Sequence, residues 1–233
     1  MRWNHPERGF LLPAQFLPLA EEAGLMAELG NWAISRACEQ AALLPAQIEV
    51  AVNVSPSQFR SSSIISHLRK VLAETGMDPS RLVLEITESV ILSSEQVAER
   101  VLSELQSLGV QLALDDFGTG YSSLSYLQRY NFNKVKVDRT FVAGIFEQGA
   151  NLAIVRAILG IGRDLGISIV AEGVENIEQA EALRQEGCTL MQGYLFGRPK
   201  PLSDVISDLA VQRLAEIQFS APTGHREARQ ASA

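Results

Sequence analysis

The chain has 233 residues, with 20 Lys and Arg against 27 Asp and Glu, for a formal net charge of −7. Apolar residues make up 46% and charged residues 20%, which excludes a disordered or fibrous chain and allows a core without disulfides or structural metal. The acidic balance argues against a DNA or RNA polymer as partner and against a polybasic membrane anchor.

In chain order, the start Met1-Arg-Trp-Asn-His-Pro6 has no apolar stretch of the signal-peptide kind. Leu11–Leu44 predicts two helices. Short Val-, Ile- and Leu-rich runs then predict strands at Glu49–Ser55, Arg81–Glu88, Val110–Asp116, Lys134–Asp138, Ile167–Glu172 and Thr189–Tyr194. Between them, helices are predicted at Ile64–Thr75, Glu95–Leu108 (after the cap pair Ser93-Ser94), Asn151–Leu165 and Ile177–Glu186. Gly76, Gly109, Gly166 and Gly187 stand just past these helices, where a left-handed residue ends an α-helix. The tail from about Phe219 has little apolar content and reads as disordered, leaving one domain over residues 1–218. No uncharged run exceeds 12 residues, too short to span a bilayer.

A repeated β-α rhythm favours parallel strands with right-handed crossovers. A doubly wound sheet and a (β/α) barrel both fit that rhythm. The strand faces choose between them. Val50, Val52 and Val54 share one face of the first run; Ala51, Asn53 and Ser55 share the other. Lys134, Lys136 and Asp138 likewise lie opposite Val135 and Val137. One apolar face and one that turns polar toward the C-terminal end suit a barrel with a polar inner mouth.

The strand ends carry Asn53, Glu85 with Glu88, Asp115 with Asp116, Lys136 with Asp138, Glu172 with Glu175, and Gln192. In a parallel barrel these ends meet at one mouth, where catalytic groups of such barrels sit. Converging carboxylates repel unless protonated or held by cations. Oxygen donors without a nearby His or Cys fit hard ions, Mg²⁺ or Mn²⁺, with Ca²⁺ a competitor. Such an ion pair could activate water against a phosphate ester, with Lys136 placing a compact positive charge on a phosphoryl oxygen or orienting the water. Taken singly, a strand-end carboxylate is also a common cap or turn residue, and Asp138 before Arg139-Thr140 reads as a helix cap. Asp116-Phe-Gly118 matches the kinase metal motif in three letters only; there is no His-Arg-Asp loop or Gly-rich loop beside it. Gly118-Thr-Gly120 lacks the Lys-Ser/Thr of a P-loop, and the small residues of Phe117–Ser123 read as a mobile or tightly turned loop. Three histidines without ligand spacing exclude a His-rich zinc or di-iron site. Cys38 and Cys188 lie in apolar segments and read as buried free thiols of a reducing, cytoplasmic compartment.

Eight ordered motifs carry a resemblance: Arg2-Trp3 with His5-Pro6 and Gly9; Pro18-Leu-Ala-Glu-Glu22 with Gly24; Asn53-Val-Ser55; Leu84-Glu-Ile-Thr-Glu-Ser89; Leu114-Asp-Asp-Phe-Gly-Thr-Gly-Tyr-Ser-Ser-Leu124; Val135-Lys-Val-Asp138; Val170-Ala-Glu-Gly-Val-Glu175; and Gln192-Gly-Tyr-Leu-Phe-Gly-Arg-Pro199. From Met1 to about Ala215 the sequence resembles the EAL-domain cyclic-di-GMP phosphodiesterases of bacteria. The resemblance implies a modified TIM barrel, an α/β fold, that hydrolyses cyclic-di-GMP to linear pGpG with Mg²⁺ or Mn²⁺. It implies Asn53, Glu85, Asp115, Asp116 and Glu172 as metal ligands. Lys136 stands for the lysine near the attacking water, and Glu88 for the carboxylate anchoring the loop around Asp116–Ser122. Glu175 and Gln192 stand for groups that back the ligands or touch the nucleotide, and Arg2 for a substrate-contacting arginine. Members often adjoin sensor or diguanylate-cyclase domains, and a homodimer is compatible.

One departure matters. The family's Glu-Ala-Leu triplet directly precedes the Leu/Val-Arg-Trp that here reads Met1-Arg2-Trp3. Its metal-binding Glu, the first strand and nearly all of the second are not in this sequence, so an incomplete barrel of about six of eight strands is expected. The expectation is a sequence truncated from a longer enzyme, inactive or very weak by itself. The alternative is a module that binds cyclic-di-GMP or a protein partner without turnover.

Overall fold

The computed structural model describes residues 1–60, 63–92, 95–118, 124–147 and 150–220. Contacts divide the chain into two compact units, Met1–Arg198 and Pro199–Ala233.

The first unit begins with a hairpin that the sequence did not announce. β1 (Trp3–His5) pairs antiparallel with β2 (Gly9–Leu11), and the His5 ring Nδ1 accepts the Glu7 and Arg8 backbone N–H groups across the turn. Helices α1 (Pro13–Glu22) and α2 (Met26–Ala41) follow, matching the expected pair. Then the β-α rhythm sets in: β3 (Val50–Asn53), α3 (Pro56–Arg60), α4 (Ser63–Thr75), β4 (Leu82–Thr87), α5 (Glu88–Leu92), α6 (Glu95–Ser107), β5 (Gln111–Phe117) and α7 (Leu124–Arg129). It continues through β6 (Lys134–Val137), α8 (Arg139–Ala143), α9 (Ala150–Leu165), β7 (Ser168–Ala171), α10 (Ile177–Gln185) and β8 (Leu190–Met191). The last strand is shorter than expected, because its chain turns away after Met191. The second unit contains α11 (Leu202–Ser220).

Six strands form one parallel sheet in the order β3-β4-β5-β6-β7-β8. This is the expected six-stranded part of a (β/α) barrel. Every strand of this sheet neighbours the next in sequence, the order of a (β/α) barrel and not of a doubly wound sheet. Its outer face is apolar for the reason read in the sequence. Leu82, Leu84 and Ile86 of β4, Leu112 and Leu114 of β5, and Val135 and Val137 of β6 are buried in one core. The core includes Leu68 and Val71 of α4, Leu102 and Leu105 of α6, and Val155 and Ile158 of α9. Each such side chain contributes about 1.5–3 kcal/mol by leaving water. The four glycines expected to stop helices, Gly76, Gly109, Gly166 and Gly187, all have φ between +63 and +87°. That is the left-handed conformation that turns the chain into the next strand.

Two polar side chains, a half-buried arginine and a buried glutamine, tie α2 to the segments around it. The Arg81 guanidinium donates to the carbonyls of Ala41, Leu44, Pro45 and Ile48, at 2.9, 3.4, 3.0 and 3.0 Å. It thereby satisfies the orphan carbonyls where α2 ends. Buried Gln58 accepts from the Ser55 backbone N–H and donates to Asn31 across α2. Cys38 and Cys188 are buried free thiols, as expected; burial raises both, Cys38 to about 11. Among the described residues, no helix is long and apolar enough to cross a membrane.

Candidate active site

The sheet's inner face turns polar toward the strands' C-terminal ends. Glu85 lies within β4 directly opposite Asn53, the last residue of β3. Asp115 lies two residues beyond Ala113, which faces Glu85 from β5. Lys136 is the third residue of β6, and Glu172 follows β7, its N–H donating to the Val137 carbonyl at 3.1 Å. Successive strands therefore deliver these groups to one place, as strand stagger in a barrel requires.

Asp115 and Asp116 are consecutive, and a regular strand would send them to opposite faces. The β5–β6 register shifts between Leu114 and Phe117, and Asp116 has φ 56°. This bulge and left-handed turn bring both carboxylates to the same mouth. Asp tolerates that backbone better than most residues. Asp115, Asp116 and Glu172 each place a carboxylate oxygen within 4.8 Å of the others, a spacing suited to a shared cation.

Lys136 stands at the centre, its side chain 7% exposed. Its Nζ lies 2.9 Å from Glu85 Oε1, 2.9 Å from Asp115 Oδ1 and 2.8 Å from Glu172 Oε1. Burial alone would lower the ammonium's pKa. The Glu85 charge, hydrogen bonds to Glu172 and Glu85, and the Asp115 charge outweigh it and hold Lys136 protonated well above the usual lysine range. Burial raises Glu172, only partly offset by Lys136. Lost solvation, then the charges of Asp115 and Asp138, raise Asp116.

The other expected site residues sit around this centre or apart from it. Glu88 is buried at the first position of α5. Of the loop that it was expected to anchor, Asp116–Ser122, the part from residue 119 lies outside the described residues, as does the Ser93-Ser94 cap pair. Glu175 and Gln192 are exposed, on neighbouring segments joined through Val174, whose N–H donates to the Gln192 carbonyl at 3.0 Å. Arg2 is exposed, donates to the Met1 carbonyl at 2.7 Å, and lines an apolar groove with Trp3, Phe16, Leu25 and Trp32. Asp138 accepts from the Thr140 N–H at 2.9 Å, the helix-cap role read from sequence.

Sequence reasoning missed the supports. Buried Gln179 accepts from the Glu175 and Asn176 N–H groups, and Asn176 caps α10 in return. The Asn-x-x-Gln spacing was the available signal. Gly193 has a less visible reason. A Cβ there would lie 2.1 Å from the Val174 carbonyl oxygen, so only glycine lets the end of β8 approach the Glu172–Glu175 segment.

A half-barrel of parallel strands with a carboxylate-lysine centre at their C-terminal ends defines a class: TIM-barrel-like α/β proteins whose strand-end mouth gathers carboxylates at cation spacing. The chain belongs to the EAL-domain family, whose description matches residues 1–199. It is 41% identical over 214 residues to the bifunctional diguanylate cyclase/cyclic di-GMP phosphodiesterase MucR of Pseudomonas aeruginosa, an alignment covering 90% of this chain and 31% of MucR. It is 39% identical over 207 residues to the cyclic di-GMP phosphodiesterase NbdA of the same organism, covering 87% of this chain and 26% of NbdA. The solved PaMucR phosphodiesterase in complex with c-di-GMP superposes with a TM-score of 0.83, 41% identity, 88% of this chain and 84% of that chain. Klebsiella pneumoniae BlrP1, solved as manganese and calcium complexes with cyclic-di-GMP, superposes at 0.69 with 35% identity, covering 74% of this chain and 45% or 44% of that one. The chain spans about a quarter to a third of the length of the curated relatives it matches.

Proposed function

We propose that this site belongs to a Mg²⁺- or Mn²⁺-dependent phosphodiesterase that opens cyclic-di-GMP to linear pGpG. The observation that carries the reading is the convergence of Glu85, Asp115 and Glu172 on one buried nitrogen. The donor set fits a hard divalent ion. It is all oxygen, and Asp115, Asp116 and Glu172 already lie at ligand spacing. Asn53 and Glu85, paired across β3 and β4, complete the proposed ligands. A bound ion pair would acidify water and neutralise phosphate charge.

The chain's own residues do the rest. Lys136 offers a compact cation to a phosphoryl oxygen or orients the water. Glu88 fixes the loop after Asp116. Glu175 and Gln192 line the rim where a nucleotide would lie, and Arg2, just ahead of the hairpin, contacts the substrate. Manganese with cyclic-di-GMP in BlrP1 and c-di-GMP in PaMucR support both the metal and the substrate. Buried, protonated thiols support a cytoplasmic site. MucR, bifunctional, supports a cyclase domain as a neighbour in related polypeptides.

These 233 residues are proposed to turn over weakly by themselves, and faster when a strand bearing the family's Glu-Ala-Leu is joined ahead of Arg2. The test incubates both forms with cyclic-di-GMP and Mn²⁺ or Mg²⁺ and measures pGpG by chromatography. Metal-dependent pGpG from the extended form supports the reading. Tight nucleotide binding with no product from either form replaces it with a binding module.

A further inference from the structure

An ammonium has three N–H donors. In Lys136 each has a carboxylate within 2.9 Å: Glu85 from β4, Asp115 from β5 and Glu172 after β7. None is left for a phosphoryl oxygen or water. Two of the same carboxylates, Asp115 and Glu172, also form the cation-spaced trio with Asp116. One lysine and one cation-spaced cluster thus draw on the same carboxylates.

We infer that Lys136 is the internal counter-cation of the metal-free site, holding the ligand oxygens of three strands together until a divalent ion takes them over and frees its ammonium toward the phosphate. The inference rests on the metal-binding reading above. Three carboxylates this close, Glu85 and Asp115 buried and Glu172 partly so, repel without a cation among them. The lysine bridges that gap and keeps the mouth pre-formed. It also competes with the metal. An arriving ion competes with Lys136 for the Asp115 and Glu172 carboxylates, so on this reading the lysine lowers metal affinity and couples metal occupancy to the release of its donors. Until the metal binds, Lys136 acts as a positioning residue, and its action on the phosphate follows only once its ammonium is freed.

The test uses the 233-residue chain without nucleotide. Mn²⁺ binding is measured by calorimetry and metal-free unfolding by thermal melting, for wild type, K136M and K136R. K136M should melt lower without metal and bind Mn²⁺ about tenfold or more tightly, because a competing charge is gone. K136R, which keeps the charge, should stay closer to wild type than K136M does in both measurements. Unchanged metal-free melting, or Mn²⁺ binding equal to or weaker than wild type in K136M, overturns the inference. Should K136M not fold without metal, the double variant K136M/E85Q removes one repelling charge. Recovery of its metal-free transition supports the inference, and failure to recover overturns it. Wild type binding no Mn²⁺ would sink the metal-binding reading instead, while the metal-free melts still decide the counter-cation role.

Discussion

Asp116 carries two loads at once. Its φ of 56° completes the bulge that brings it beside Asp115, and its carboxylate completes the cation-spaced trio. Asp116→Gly should therefore raise metal-free stability by about 1 kcal/mol, because glycine adopts that backbone without strain, while weakening Mn²⁺ binding. Asp116→Asn should keep the fold and lose about tenfold or more in Mn²⁺ affinity by calorimetry. The protonation of Asp116 and Glu172 sets a pH dependence of opposite sign for stability and for metal. Both bind a proton more tightly folded than unfolded. Their contribution to metal-free stability is full below the unfolded values of about 4 and is lost as pH rises through the higher folded values. Metal needs them ionised, so Mn²⁺ affinity should fall as pH drops through that same window. Calorimetry across it checks the sign; constant affinity would separate these carboxylates from the metal.

The elements meet through a few polar and steric joints. Arg81 ties four carbonyls where α2 ends, using geometry a lysine cannot copy. Arg81→Met should cost about 2–3 kcal/mol in denaturant unfolding, and Arg81→Lys should recover only part of it. Gly193 is the corresponding joint at β8. Gly193→Ala drives a Cβ into the Val174 backbone, which cannot yield as a flexible side chain can. The expected loss is about 1–3 kcal/mol, with hydrogen exchange rising first along β8 and the Glu172–Glu175 segment.

At the scale of the molecule, the site is a clasp across the sheet. Its groups come from β4, β5, β6 and the end of β7, so anything bound among them ties four strands. Mn²⁺ at about 100 times its dissociation constant should add about 2.7 kcal/mol. For a chain of this size that is a rise of about 5–10 °C in thermal midpoint. A midpoint indifferent to Mn²⁺ would place any metal site away from these strand ends. The core is the second whole-molecule determinant. Leu84, fully buried between the sheet and its helices, should cost about 2–5 kcal/mol when cut to alanine.

The six strand runs, the apolar faces of β3 and β6, the four glycine stops and the helix pair before β3 were legible in the sequence by itself. Each is a local rule of periodicity or backbone freedom that neighbouring residues already obey. The candidate site was legible as a set: strand-end carboxylates with a lysine among them, whose order matches one family. Only the tertiary structure decided how that set assembles. The bulge that turns Asp116 inward depends on β5 pairing with β6, and no periodicity encodes a register shift. The three partners of Lys136 come from strands up to 87 residues apart in sequence (Glu85 to Glu172), and which oxygens reach one nitrogen follows from strand stagger. The first hairpin, the Arg81 joint and the need for glycine at 193 were hidden for the same reason. Each is set by how closely two distant backbones approach, a quantity that exists only once the chain has folded.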